Sequence, residues 1–337
     1  MKIAVHVGLH RAASTALQRY LEDHRTALEA EGVFLLTDLS SGAQPSLLGV
    51  LVGDTLQADS AEAIALMVEE ELERLSRTWR AVVISDENLT GLMPGLNGPA
   101  FSKLEPLVQV LRNIANRHEL LPVLVLREHT AWLTSLYRIA QLRGQTIDFM
   151  TFTQEVLPPS TGFRPVVEQL SGIAAPLIHS LDGLRLDGGR RLLASLELFL
   201  ACTAFPDKAL GRANMVPPSI LLTLHQQLAA LDARIELKER PGLQRLLVRL
   251  ARQNVQEAGD LQTASRVLAR HAVRPTGKTA VEPFLSLRQA RALLTRSLRV
   301  AGSPLASPEE IAMLQHRHAA DRQWLAEHHI IFKETTP

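Results

Sequence analysis

A single cysteine, Cys202, stands in 337 residues. No intrachain disulfide can form, and Cys202 follows the apolar run Leu198-Phe199-Leu200-Ala201, where a thiol packs as a small hydrophobe. No Cys/His cluster has zinc spacing, so no metal is expected. Aromatic residues are only 4% of the chain, too few for a base-stacking platform. Neither sign of charge dominates. Lys+Arg is 36 against Asp+Glu 35, a net charge of +1, whereas a general nucleic-acid binder shows a basic excess. No nucleic-acid partner is expected, which still leaves room for a local basic pocket. No apolar run approaches the ~20 residues of a membrane span. Met1-Lys2-Ile3 leads into a strand and not a secretory signal. These absences together predict a cytoplasmic chain with no transmembrane segment.

Hydrophobic content is 46%, enough for a substantial core. Apolar strands alternate with helical patterns through the first half. Strands are predicted at about 2–8, Val33–Leu36, Ala81–Ser85 and Leu121–Leu126, with one further candidate at Ala175–His179. Helices are predicted from Ser14 to about Ala30, over Ala61–Leu75, up to about Arg117, over Ala131–Leu142 and over Arg190–Ala201. Gly32 suits a helix C-terminal cap. Ser40–Pro45 and the Gly/Pro-rich stretch from Gly91 to Pro99 read as loops. Gly144 stops a helix, and the pattern loosens after Thr146, with Pro158-Pro159, Gly162 and Pro165 marking a connection. Arg212-Ala213-Asn214 falls in a loop before Pro217-Pro218. From Ser219 the sequence is mostly helical, and Leu243–Leu250 reads as solvated Leu/Arg packing.

Such alternation predicts an α/β fold with a parallel sheet covered on both faces. Ligands in these sheets sit at the carboxyl ends of the strands. Three polar exits would share that rim: Leu9 to Ser14, Asp86-Glu87, and Arg127. The first is a strand, a turn and a helix start, and unpaired amides and the helix dipole at a helix start favour an anion. Arg11 adds a fixed positive charge.

A triphosphate is one candidate anion. A Walker A loop reads G-x-x-x-x-G-K-[ST]. Aligned from Gly8, the chain has Ala13 for the second Gly, Ser14 for the Lys and Thr15 for the hydroxyl, so the phosphate lysine is missing. Val82–Glu87 has the look of a Walker B strand, and Asp86-Glu87 with magnesium would suit a nucleotide kinase or ATPase. Gly277-Lys278-Thr279 mimics the end of Walker A, but Ala272 stands where its first Gly belongs and no strand is expected before it.

The order His10-Arg11-Ala12-Ala13-Ser14-Thr15 resembles the 5′-phosphosulfate loop of sulfotransferases, roughly P-K/R-[ST]-G-T-T. A second signature of that family is an Arg at a strand end with a Ser about eight residues on. Arg127 and Ser135 have that spacing, within a stretch similar to the family's R-[DN]-P-x-x-W-x-x-S-x-Y. Ile84–Leu89 looks like the S-x-E segment of bacterial members, and His318–Glu327 like their closing N-x-W-L-A-E helix. The resemblance implies a P-loop-type three-layer sandwich. It also implies 3′-phosphoadenosine 5′-phosphosulfate (PAPS) as cofactor, with sulfuryl transfer to a hydroxyl of a carbohydrate, glycolipid or small metabolite.

Under that reading Arg11, Ala12, Ala13, Ser14 and Thr15 bind the 5′-phosphosulfate, and Arg127 and Ser135 the 3′-phosphate. Arg11 stays protonated, so it stabilises a leaving group electrostatically and does not act as a general acid. The catalytic base is open among Glu87, His10 and Asp86. Ala13 stands where the family has Gly, and costs roughly a kcal/mol if that position needs a positive φ. His10 stands where the family has Pro. The expected organisation is an α/β PAPS-binding core over residues 1–215 and a helical extension over 216–337 that shapes the acceptor site. Besides the kinase or ATPase, a catalytically impaired sulfotransferase-like binding protein is the alternative.

Overall fold

The computed structural model describes residues 1–37, 49–51, 61–142, 145, 147–158, 161–206, 209–210, 234–235, 258–275, 281–283, 286–300 and 306–332. The predicted loop at Ser40–Pro45, Gly144, Thr146, Pro159, Arg212–Asn214, Pro217-Pro218, Leu243–Leu250 and Gly277-Lys278-Thr279 lie outside the described residues. So does most of the helical region expected from Ser219 to residue 257.

Five strands form one all-parallel sheet: β1 (Lys2–His6), β2 (Val33–Thr37), β3 (Ala81–Ser85), β4 (Glu119–Leu126) and β5 (Leu177–Ser180), in the order β2-β3-β1-β4-β5. Every residue of β2, at the edge of the sheet, and of β3 is buried, as expected of parallel strands that are covered on both faces and carry apolar runs and not an alternating pattern. β1 lies between β3 and β4, with His6 level with Ser85 on one side and Val123 on the other. The pairing with β4 continues past the strand. Val7 N–H donates to Val123 O (3.0 Å), Leu9 N–H to Val125 O (3.3 Å), and Val125 N–H to Gly8 O (3.0 Å).

Helices α1 (Ser14–Asp23) and α2 (Arg25–Ala30) carry the chain from β1 to β2. Helix α3 (Ala61–Ser76) precedes β3, and α4 (Leu104–Ala115) joins β3 to β4. Three helices, α5 (His129–Leu142), α6 (Phe149–Val156) and α7 (Arg164–Ser171), separate β4 from β5. Then come α8 (Leu181–Asp187) and α9 (Arg190–Leu200). The chain leaves β1 toward one edge and later returns past it toward the other. With right-handed crossovers, that reversal places α1 and α2 on one face and the later crossover helices on the other, compatible with a three-layer sandwich. The reversal also makes the carboxyl end of β1 the switch point where such sheets bind ligands.

The long helix predicted from Ser14 to Ala30 is two helices. His24 breaks it by turning its ring back, with Nδ1 2.8 Å from Tyr20 O and the ring stacked on Tyr20 at 4.2 Å. Gly32 follows α2 with φ 73°, the left-handed cap expected there. The last strand is displaced two residues from its predicted start, to Leu177, and α6 and α7 occupy the stretch read as a loose connection. At the opposite end of the sheet Arg80 ties elements together. Its Nε donates to Glu31 O (2.5 Å), Nη2 to Ala201 O (3.2 Å) and Nη1 to Leu200 O.

The chain divides into two compact units. One comprises Met1–Leu136, Met150–Asn214 and Pro308–Pro337, and the other Tyr137–Phe149 with Met215–Ser307. This differs from the single cut expected near residue 215, because the last thirty or so residues cluster with the first unit. They include α12 (Pro308–Arg317) and α13 (Ala319–Glu327). The second unit contains a three-stranded antiparallel sheet, β6 (Arg234–Ile235), β7 (Ala272–Pro275) and β8 (Val281–Pro283), with α10 (Ala258–His271) packed on α11 (Leu287–Val300). Strand β7 does precede Gly277, contrary to expectation, but in an antiparallel sheet. Among the described residues, no helix is long and apolar enough to cross a membrane.

Candidate functional site

The loop after β1 is built on positive backbone angles. Gly8 has φ 107°, Arg11 63° and Ala13 71°. Glycine adopts such angles freely; for Arg11 and Ala13 each costs about 1–2 kcal/mol. Ala13 is the N-cap of α1, and no side chain caps that helix. The loop is otherwise tied to itself. Ala12 N–H donates to Leu9 O (3.2 Å), and the Ser14 hydroxyl donates to the same oxygen (2.6 Å). Ala12 is fully buried and Ser14 is 3% exposed. Two of the predicted ligand groups, the Ala12 amide and the Ser14 hydroxyl proton, are therefore engaged inside the loop. Thr15 is half-buried on the first turn of α1. The strain at position 13 is testable. Ala13→Gly should be neutral or stabilising by up to about 1 kcal/mol, while Ala13→Val should cost more than about 2 kcal/mol, read from urea unfolding midpoints. A Val variant as stable as the parent would remove the left-handed angle from the account.

The structure brings together Arg11, Arg127 and Ser135, which sequence spacing had assigned to two separate anion sites. Arg11 Nε donates to Ser135 Oγ (3.2 Å), and Arg127 Nη1 donates to Arg11 O (3.3 Å). Trp132, on α5 between Arg127 and Ser135, donates its indole N–H to His10 O (2.8 Å). The β4–α5 junction thus holds the loop from three directions. Burial lowers the pKa of the Arg11 guanidinium, and the nearby Glu87 charge opposes that shift. An arginine keeps its proton under such pressure. Arg11 and Arg127 thus lie on one rim, linked through the Arg11 carbonyl.

The third exit, after β3, faces the same loop. His10 Nε2 lies 3.1 Å from Gly91 O; a carbonyl only accepts, so this nitrogen carries the proton. The other ring nitrogen, Nδ1, lies 3.8 Å from Glu87 Oε1, beyond hydrogen-bond reach. His10 is 4% exposed, and burial lowers its pKa to about 4, with the Arg11 charge adding to the effect. It is therefore neutral at pH 7, with Nδ1 unprotonated. Asp86 has a different task. It is 2% exposed, and its Oδ1 accepts from Asn88 N–H (2.7 Å) and Asn88 Nδ2 (2.9 Å), the local turn typical of Asp. Glu87, half-buried, is the acid that reaches the rim beside His10.

Several polar residues beneath the site were not singled out from sequence. His6 Nδ1 is 2.8 Å from Ser85 Oγ, joining the ends of β1 and β3, and Gln18 Nε2 donates to Ser85 O (3.2 Å). Both His6 and Gln18 are nearly fully buried. The signal was present: a histidine inside an apolar strand, and a glutamine on the apolar face of α1. At the first residue of α5, His129 is fully buried with Nε2 2.6 Å from Asp321 Oδ2. Asp321 also accepts from Phe163 N–H (2.9 Å) and Arg164 N–H (2.8 Å) at the start of α7. The His129 ring stacks on Phe163 at 4.2 Å and on His318 at 4.6 Å. Among the described residues, no group of three or more His, Cys, Asp or Glu is placed to hold a metal ion.

The chain matches no protein-family model and no curated protein.

Proposed function

We propose that this protein is a PAPS-dependent sulfotransferase of P-loop type, transferring a sulfuryl group to a hydroxyl of a carbohydrate, glycolipid or small metabolite. One observation carries the reading: the hydrogen bond from Arg11 to Ser135, with Arg127 on the Arg11 carbonyl, joins the loop after β1 to the β4 exit at the switch point. Two guanidinium groups and an uncapped helix N-terminus there suit a ligand with more than one anionic group. PAPS would supply an activated sulfuryl group and a 3′-phosphate.

Arg127 and Ser135 would hold the 3′-phosphate. The start of α1, Ala13 to Thr15, would hold the 5′-phosphosulfate. Arg11 would stabilise negative charge on the bridging oxygen as it leaves, without giving up a proton. Glu87 would take the acceptor hydroxyl proton, and the neutral Nδ1 of His10 lies beside it as a second acceptor. The kinase or ATPase reading is weakened by Asp86, whose Oδ1 serves the Asn88 turn. The reading as a catalytically impaired binding protein rests on the inward Ser14 hydroxyl and the strained Ala13.

Calorimetry with adenosine 3′,5′-bisphosphate tests the assignment; no binding at millimolar ligand would sink it. Arg127→Ala should weaken that binding by about 10- to 100-fold, the worth of one charge-assisted hydrogen bond. The same change should matter much less for adenosine 5′-phosphosulfate, which lacks the 3′-phosphate. Equal losses for the two ligands would make Arg127 a structural residue only. Bisphosphate binding without transfer to any acceptor would favour the impaired protein.

A further inference from the structure

Within the first unit, a continuous run of contacts joins the closing helix α13 to the loop after β1. Asp321 on α13 sits between two helix starts. Its Oδ2 lies 2.6 Å from Nε2 of His129, the first residue of α5, and also accepts from Phe163 N–H, while its Oδ1 accepts from Arg164 N–H at the start of α7. The fit is close. A Cβ on Gly162 would stand 2.7 Å from Asp321 Cγ, so glycine alone lets the backbone before α7 approach the carboxylate. Aromatic rings carry the contact onward. His129 stacks on Phe163 at 4.2 Å, and Phe163 meets Trp132 edge-on at 5.4 Å. Phe101 lies against both, 6.1 Å from Trp132 and 6.3 Å from Phe163. His129, Trp132 and Phe163 are at most 1% exposed, so the cluster is packed on all sides. It ends at the Trp132 indole N–H, which donates to His10 O (2.8 Å).

We propose that Asp321 is a positioning residue of the anion site: through His129, Phe163 and Trp132 it fixes the His10 carbonyl, and with it the loop that carries Arg11. The inference rests on the reading of that loop, with Arg127 and Ser135, as the site of a bisphosphate nucleotide. Asp321 makes its hydrogen bonds to His129, Phe163 and Arg164, and acts on the site only through the helix it anchors. The loop needs such support. Arg11 and Ala13 hold left-handed angles, which persist only where the surrounding structure over-determines them. The His10 carbonyl belongs to the peptide that leads into Arg11, so holding its oxygen orients the plane from which the left-handed turn begins. Ser135 lies on the same α5 and accepts from Arg11 Nε (3.2 Å). A displaced α5 start therefore disturbs Arg11 at its backbone and at its guanidinium together. A clamp that served stability alone would leave the affinity of the folded chain untouched.

The test pairs calorimetry of adenosine 3′,5′-bisphosphate binding with amide hydrogen exchange of the loop at residues 8–15, on the full chain, at a temperature where circular dichroism shows each variant folded. Trp132→Phe keeps a ring against Phe163 and removes the N–H to His10 O. Asp321→Asn removes the charge beside His129. His129→Phe breaks the same link from the other side and keeps the ring stack. Each should weaken bisphosphate binding about fivefold, the worth of one neutral hydrogen bond, and speed exchange of the bonded Leu9 and Ala12 amides by a similar factor. Trp132→Phe combined with Asp321→Asn should lose less than the product of the two, because both act through one run of contacts. Arg80→Ala removes ties at the opposite end of the sheet and should leave affinity and loop exchange at the parent's values. Parent-like affinity and loop exchange in Asp321→Asn or His129→Phe, fully multiplicative losses in the double variant, or equal changes in Arg80→Ala would overturn the proposal. A parent chain that binds no bisphosphate would overturn the cofactor assignment instead. Loop exchange would then decide the positioning role by itself.

Discussion

Asp321→Ala should destabilise the first unit by about 3 kcal/mol or more, measured from urea unfolding. The carboxylate accepts from three donors: the His129 ring, Phe163 N–H and Arg164 N–H. His129 is fully buried, so it cannot recover its lost partner from water. Removing one member of such a buried group costs about 3–5 kcal/mol, since the remaining polar atoms stay desolvated. Asp321 itself is partly exposed, which places the expected value at the low end. Asp321→Asn is the informative companion. It keeps one acceptor oxygen, enough for one of the two α7 amides, which bond different carboxylate oxygens, while removing the charge beside His129. A cost below about 1 kcal/mol for the Ala variant would mean that α13 does not depend on this contact.

The second large effect is acid unfolding. Burial lowers the pKa values of His6, His10 and His318 from 6.5 to about 4. Each of these groups binds a proton more weakly in the folded chain than in the unfolded one. Its stabilising contribution is therefore complete above pH 6.5 and is lost as pH falls toward 4. For His6 and His10 the loss approaches about 3 kcal/mol each at the acid end. The Asp321 carboxyl is also held below its usual value, by its hydrogen bonds to His129 and the two α7 amides outweighing burial. Its contribution is present above its unfolded value and fades below it, in the same direction. The histidine losses alone reach the lower part of the stability of an ordinary domain, about 5–15 kcal/mol, and the Asp321 loss follows only at lower pH. Unfolding is expected between pH 6.5 and 4, followed by circular dichroism. His6→Gln keeps a polar group beside Ser85 and should take up about one proton fewer across that range. A pH profile as steep as the parent's would show that His6 does not titrate on unfolding.

The β1 strand, its exit at Gly8 and the Asp86-Glu87 exit were legible because each is written in local spacing. An apolar run ends in a glycine or an acidic pair, and a parallel sheet aligns such ends. The encounter of Arg11 with Ser135 was not legible. Sequence places a charge in a loop, but the direction of its side chain depends on a helix more than a hundred residues later. The same holds for the Ser14 hydroxyl, which fits a helix start by type yet turns back to Leu9 O. Helix α7 was missed for a different reason. Pro165 was read as a break, although proline near the first position of a helix is a start signal. His129 and Asp321 lie 192 residues apart, and no periodicity connects them.

That separation has a consequence for synthesis of the chain. β1 to β5 emerge from the ribosome first, but Asp321 comes only after the whole of 215–307 has been made. Until then the buried face of His129 and the amides at the start of α7 lack their native partner. Domains fold as their residues become available, at about 5–20 residues per second of elongation. The first unit therefore waits several seconds for its last piece, and the second can form in that interval. Truncation anywhere before α13 would leave the nascent sheet with the vacancy it has during this wait.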